Sequence, residues 1–218
     1  MTPGAPHDAS LFLDEHAFRG RARARLLAAP VLAADALTSP SDYDLNPEYP
    51  APHPETLKPA AVLVPILAGA ELTVLLTERT RHLSAHAGQI AFPGGKIDPG
   101  EGPLDTALRE TSEETGLDAA FVEPLGFLDP YRTGTGFLVT PVVALVRPGY
   151  RLMPNPREVA SVFEVPLAFL LDSANHRIDS RVWRGAARQY YAMPYGERYI
   201  WGATAGIIKS LQQRLFTQ

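Results

Sequence analysis

The sequence contains no cysteine. Disulfides, thiolate metal centres, cysteine nucleophiles and iron–sulfur clusters are excluded. The absence also fits a reducing compartment, and cytoplasmic placement is the expectation. Long apolar runs are missing too: no stretch approaches the roughly 18 residues that a bilayer-crossing helix needs. The N-terminus, MTPGAPHDAS, lacks the basic start and apolar core of a secretory leader, so neither a leader nor a membrane partner is expected. There is no excess of positive charge. Twenty Lys and Arg stand against 24 Asp and Glu, for a net charge of −4. That disfavours a nucleic-acid partner held by bulk charge. What remains is an ordinary globular composition, 45% hydrophobic and 20% charged over 218 residues, enough for a real core without staples.

The 21 prolines make sharp boundaries. Ser10 to Leu27 reads as a helix with Asp8 or Ser10 as N-cap. Its Arg19, Arg21, Arg23 and Arg25 spread over two faces and read as a solvated basic surface. Residues 38–58, rich in Pro, Ser, Asp and Asn, read as an extended linker. The expected division is therefore 1–57, helix and Pro-rich linker, and 58–218, the main domain. From Ala60, two apolar strands flank an Ala-Gly-Ala-Glu turn, followed by a polar loop from Thr80 to Gln89. Pro103 opens a helix that Gly116 stops. Strands are expected at Phe121–Leu128, Gly136–Val146 and Val159–Val165, and a short helix at Pro166–Leu171. A hairpin is expected over Arg177–Arg184 and Gln189–Pro194, and a last helix over Ala203–Phe216. Strands and helices do not alternate regularly, so the fold class is α/β of the α+β type, a mixed sandwich and not a doubly wound sheet.

Charge is uneven. Residues 98–114 hold six acids and one base, a local −5 that leaves +1 for the rest of the chain. Glu110, Glu113 and Glu114, at i, i+3 and i+4, lie on one helical face. Carboxylates so crowded repel unless a cation lies among them, and hard divalent ions such as Mg²⁺ or Mn²⁺ take oxygen ligands of this kind. Arg109 precedes Glu113 by four residues and follows Glu101 by eight, so it can pair with either. Gly94 and Gly95 permit close backbone approach, with a carbonyl as a further ligand.

These residues together resemble the Nudix box, G-x5-E-x7-R-E-U-x-E-E-x-G-U, where U is bulky and aliphatic. Gly95, Glu101, Arg109, Glu110, Glu113, Glu114, Gly116 and Leu117 match, and Thr111 departs at the first U. The resemblance implies the Nudix αβα sandwich with a mixed sheet, carrying the N-terminal and C-terminal helices in addition. It also implies a diphosphatase acting on a nucleoside diphosphate linked to another moiety. By that analogy Gly95, Glu110, Glu113 and Glu114 hold Mg²⁺ or Mn²⁺, and Glu113, Glu114, Arg109 and Glu158 serve catalysis. Glu158, in a loop before a strand, reads equally as a general base, a residue behind the metal ligands or a plain ion pair.

Upstream, Leu75 to Gly95 resembles the coenzyme A pyrophosphatase branch, L-L-T-x-R-[SA]-x3-R-x3-G-x3-F-P-G-G. Leu75, Leu76, Thr77, Arg79, Gly88, Phe92, Pro93, Gly94 and Gly95 match; Thr80 replaces Ser or Ala, and Ser84 replaces Arg. The branch implies coenzyme A or a derivative as the small-molecule substrate. Arg79, Arg81, His86 and Gln89 are the candidate substrate-binding groups. Asn155 to Leu167 and Ile200 to Ile208 also resemble this branch; Trp201 reads as core packing, with the last helix opening around it. ADP-ribose, NADH or a dinucleoside polyphosphate is the alternative substrate, and a non-catalytic nucleotide- or RNA-binding module is the alternative of another class. The intact carboxylate set argues against the module. Nothing in the sequence chooses between monomer and homodimer.

Overall fold

The structure, a computed structural model, describes residues 14–80, 88–183 and 185–216. Its centre is strand β1 (Lys58–Leu67). The run AAVLVPIL is buried almost throughout, as a strand covered on both faces must be. Ala61 and Leu63 point to one side, where they meet Ala107. Ala60, Val64 and Ile66 point to the other, toward Ala205, Ile208 and Leu211.

Strands β2 (Thr73–Arg79), β3 (Ile90–Ala91) and β4 (Gly94–Lys96) precede helix α2 (Pro103–Thr115). Strands β5 (Val122–Phe127), β6 (Tyr131–Arg132), β7 (Phe137–Val146) and β8 (Val159–Pro166) complete an eight-stranded sheet among the described residues. Its main path runs β3-β2-β1-β7-β5. β1 and β7 pair in parallel from Lys58↔Phe137 to Leu67↔Val146, and the other pairs are antiparallel. Helix α2 covers one face, while α3 (Leu167–Leu171) and α4 (Ala203–Phe216) cover the other. The expected αβα sandwich with a mixed sheet is the observed architecture.

A second, three-stranded antiparallel sheet stands beside it: β9 (Arg177–Trp183), β10 (Ala186–Tyr195) and β11 (Arg198–Trp201). The expected hairpin is β9–β10. β11 is additional, because Ile200 and Trp201 pair with Met193 and Ala192 before the chain turns at Gly202 into α4.

Helix α1 (Glu15–Arg25) begins at Asp14, whose carboxylate accepts from the His16 amide at 2.8 Å. Asp8 and Ser10, the expected caps, lie outside the described residues. The basic face is not simply solvated. Arg19 bonds Glu15 and Glu123, and Arg23 bonds Glu123. Arg21 donates to the Leu215 carbonyl at 2.7 Å and stacks on Phe216. Phe18 and Ala22 are fully buried in the main core, so the helix is docked.

Residues 38–58 also differ from the extended linker the composition suggests. Asp44 accepts from the Ser41 amide and hydroxyl, which coils the chain. Asn46 exchanges hydrogen bonds with the Gln189 backbone at 2.8 and 2.9 Å. Those partners are far apart in sequence, so local composition carried no sign of them.

Candidate active site

Pro103 at the first turn and Gly116 after the last fix the limits of α2. Gly116 takes φ 73°, the left-handed conformation that a helix stop favours in glycine. The inward face carries Thr106, Ala107, Thr111 and Thr115. Thr111, the departure from an aliphatic residue, is 1% exposed and donates its hydroxyl to the Ala107 carbonyl at 2.6 Å. Its polar atom is satisfied within the helix, so the position still packs.

Arg109 gathers the carboxylates on the outer face. It grips Glu101 with two bonds, Nε at 2.7 Å and Nη2 at 2.9 Å. Nη1 reaches Glu110 at 2.9 Å and Glu113 at 3.3 Å. The guanidinium, helped by the Thr106 hydroxyl, holds the Glu101 carboxyl down at about 2. Glu110 also lies directly over Gly95: a Cβ there would stand 2.4 Å from its carboxyl carbon.

Glu114 is set apart from these. Its side chain is only 4% exposed. Burial pushes its carboxyl up to about 7, and the charges of Glu110 and Glu158 push the same way. Two groups oppose them. Arg79 Nη1 lies 3.5 Å away, and the Gly94 amide donates at 3.3 Å. Both contacts are long for charge-assisted hydrogen bonds. A buried carboxylate so incompletely compensated, beside a second carboxylate at i−4, is a donor set suited to a hard divalent cation. In their present rotamers no three Asp, Glu or His side chains among the described residues converge on a single point. Arg109 bonds one oxygen of each neighbour, Glu110 Oε1 and Glu113 Oε2.

Glu114, Gly94, Gly95 and Arg79 open onto a cleft of about 390 Å³. Gln89 lines it too, and its backbone carbonyl accepts from the Arg79 amide at 3.0 Å. Arg79 Nε is buried and has no hydrogen-bond partner among the described residues. Glu158 accepts from Asn155 Nδ2 at 3.1 Å and is near enough to act on Glu114 through its charge. Arg81 and His86, and Ser84 with them, lie outside the described residues.

Trp201 is not simply a core side chain. It is half-buried, lines this cleft and lies under the Arg181 guanidinium at 4.2 Å. Asp42 borders the cleft as well, from a segment that composition marks as linker. The sequence signal for Trp201 was its place just before Gly202 and α4, where a strand ends at the mouth of the sandwich.

The NUDIX domain family profile matches residues 57–183. A relative from Photorhabdus laumondii, named "Uncharacterized Nudix hydrolase NudL", is 46% identical over 159 residues, covering 72% of this chain and 84% of its own. A relative of the same name from Yersinia enterocolitica is 41% identical over 181 residues, covering 80% and 90%. Among solved structures, a Nudix hydrolase from M. smegmatis, RenU, aligns with 28% identity over 50% of this chain and 71% of its own, at a TM-score of 0.43.

Proposed function

The chain belongs to the Nudix hydrolase family, enzymes that act on pyrophosphate bonds of nucleoside diphosphate derivatives, and on that premise we propose that its substrate is coenzyme A or an acyl derivative. The products are 3′,5′-ADP and 4′-phosphopantetheine or its acyl form. The observation that carries this reading is the meeting of Arg79 and Gly94 with Glu114 at 3.5 and 3.3 Å. The coenzyme A-type segment and the carboxylate helix thereby form one site.

In this reading Glu110 and Glu114 hold Mg²⁺ or Mn²⁺, with Glu113 and the Gly95 carbonyl completing the set. The ion, when bound, would neutralise diphosphate charge and make water at the site more acidic. Arg109 is a positioning residue, since it fixes the Glu101, Glu110 and Glu113 carboxylates. Arg79 turns its buried, unpartnered Nε toward a phosphate oxygen. Glu158 takes the proton of the attacking water, supported by its field at Glu114. Gln89, Arg81 and His86 contact the substrate. Residues 58–218 form the catalytic unit, and residues 14–57 brace it. No helix among the described residues is long and apolar enough to cross a membrane. We place the chain in the cytoplasm, in keeping with its lack of cysteine.

Ser84 in place of Arg favours a second reading, a Nudix diphosphatase for ADP-ribose or NADH. A panel of coenzyme A, 3′-dephospho-coenzyme A, ADP-ribose and NADH with Mg²⁺ or Mn²⁺, products identified by mass, tests both. The coenzyme A reading expects the highest kcat/KM for coenzyme A, about one to two decades above its dephospho form, since a lost charge-assisted contact leaves cationic groups unpaired. Faster hydrolysis of ADP-ribose overturns it.

A further inference from the structure

We propose that Trp201 and Arg181 form the subsite that receives the planar base of the nucleotide half of the substrate; this rests on the diphosphatase reading. The argument begins with the second sheet. In the register of β9, β10 and β11, Asp179 stands opposite Tyr190, and Trp201 opposite Ala192, which in turn faces Arg177. Side chains alternate along a strand, so Arg177, Asp179, Arg181, Tyr190, Tyr199 and Trp201 share one face. Cations and aromatic rings are concentrated on that face.

Its parts are held in place. The Tyr199 hydroxyl donates to Asp179 and lies 3.3 Å from the Tyr190 hydroxyl. The Tyr190 ring meets Trp201 edge-on, with centroids 5.2 Å apart. Arg181 then covers Trp201 at 4.2 Å and lies 6.0 Å from the Tyr190 ring. Two χ angles of the indole are thus fixed before any ligand arrives, which lowers the entropy cost of stacking.

Trp201 and Arg181 line the same cleft as Glu114, Arg79 and Gly94. A molecule whose diphosphate lies at Glu114 extends its remaining groups along this cleft. A base stacks well on an indole face or a guanidinium plane. A phosphate fits this position poorly. Asp42 borders the cleft here and acts on Arg181 through its charge, and an aromatic face repels anions. Trp201 lies outside the segment matched to the family, residues 57–183. Arg181 lies within that segment, so the subsite joins the matched segment to a strand beyond it.

Calorimetric titration of ADP with Mg²⁺ tests the proposal, with inorganic pyrophosphate as the base-free control. Trp201→Ala is expected to weaken ADP binding about tenfold to a hundredfold, the loss typical of one base–aromatic stack. Trp201→Phe should restore most of it, and Arg181→Ala should give an intermediate loss. Pyrophosphate should bind all variants within about twofold of wild type. Circular dichroism of each variant guards against misfolding, and the ADP-selective loss in Arg181→Ala keeps the test decisive if the Trp201 alanine variant fails to fold. ADP binding unchanged in Trp201→Ala, an equal loss for ADP and pyrophosphate, or no ADP binding by wild type each overturns the subsite. If coenzyme A is not hydrolysed but the ADP-selective loss is found, the substrate reading falls and the subsite stands. If coenzyme A is hydrolysed and ADP binding is indifferent to Trp201, the subsite alone falls.

Discussion

Arg79 Nη1 stands 3.5 Å from Glu114 Oε1, bringing the last residue of β2 to a carboxylate that is only 4% exposed. The pairing is incomplete, and burial still holds the Glu114 carboxyl at about 7, above its ordinary 4.5. Between those values the folded chain keeps a proton that the unfolded chain has released. The stability from this group is therefore full below about pH 4.5 and is lost as pH rises through about 7. With EDTA, the stability of wild type should fall relative to Glu114→Gln by on the order of 2 kcal/mol from about pH 5.5 to about pH 8. Saturating Mg²⁺, which binds the ionised form, should abolish or reverse that difference. Denaturant melts of both proteins at the two pH values check it. Parallel curves would remove the buried-proton account.

Two adjacent glycines should fail in different ways. A Cβ at Gly94 would stand 2.3 Å from the Ala61 carbonyl oxygen, a backbone atom of the central strand. Gly94→Ala should thus lower stability by about 2 kcal/mol or more. The three atoms nearest a Cβ at Gly95 all belong to the Glu110 carboxyl, the closest at 2.4 Å. Gly95→Ala should melt within a few degrees of wild type yet lose at least tenfold in turnover, because Glu110 is displaced. Thermal melts and kcat for both variants separate the two effects. A stable, fully active Gly95→Ala would remove Glu110 from the site.

Arg109→Ala should weaken Mg²⁺ affinity more than it lowers Tm. The guanidinium is part-exposed, so its ion pairs contribute modestly to folding, but among the described residues it alone bridges Glu101, Glu110 and Glu113. Titration of Mg²⁺ and a melt on the same sample give both numbers. A Tm drop of many degrees with unchanged Mg²⁺ binding would make Arg109 purely structural.

Much of the candidate site's local geometry was legible in the sequence, because its signals are local. Pro103, Gly116 and the i, i+3, i+4 carboxylates define α2 within a few turns, and the β1 run announces a strand buried on both faces. What was not legible depends on distant partners. The order of residues 38–58 comes from Asn46 meeting Gln189, and Asp42 accepting from Tyr131 and Gly134. The docking of α1 comes from Glu123 and Leu215, which meet its arginines only once the sheet and α4 exist. Trp201 looked like core because an indole next to an apolar helix usually is; its place on the cleft wall is set by the pairing of β11 with β10.

Glu114 is proposed to hold the divalent ion through which this chain hydrolyses a diphosphate. The most direct measurement is turnover of coenzyme A by Glu114→Gln in saturating Mg²⁺, beside a melt showing that the fold is kept. Gln preserves the volume and the bond from the Gly94 amide but removes the charge that binds the ion. Wild-type-like melting and a loss of kcat of at least a hundredfold are expected for Glu114→Gln. Turnover equal to wild type would contradict a metal-holding role for Glu114.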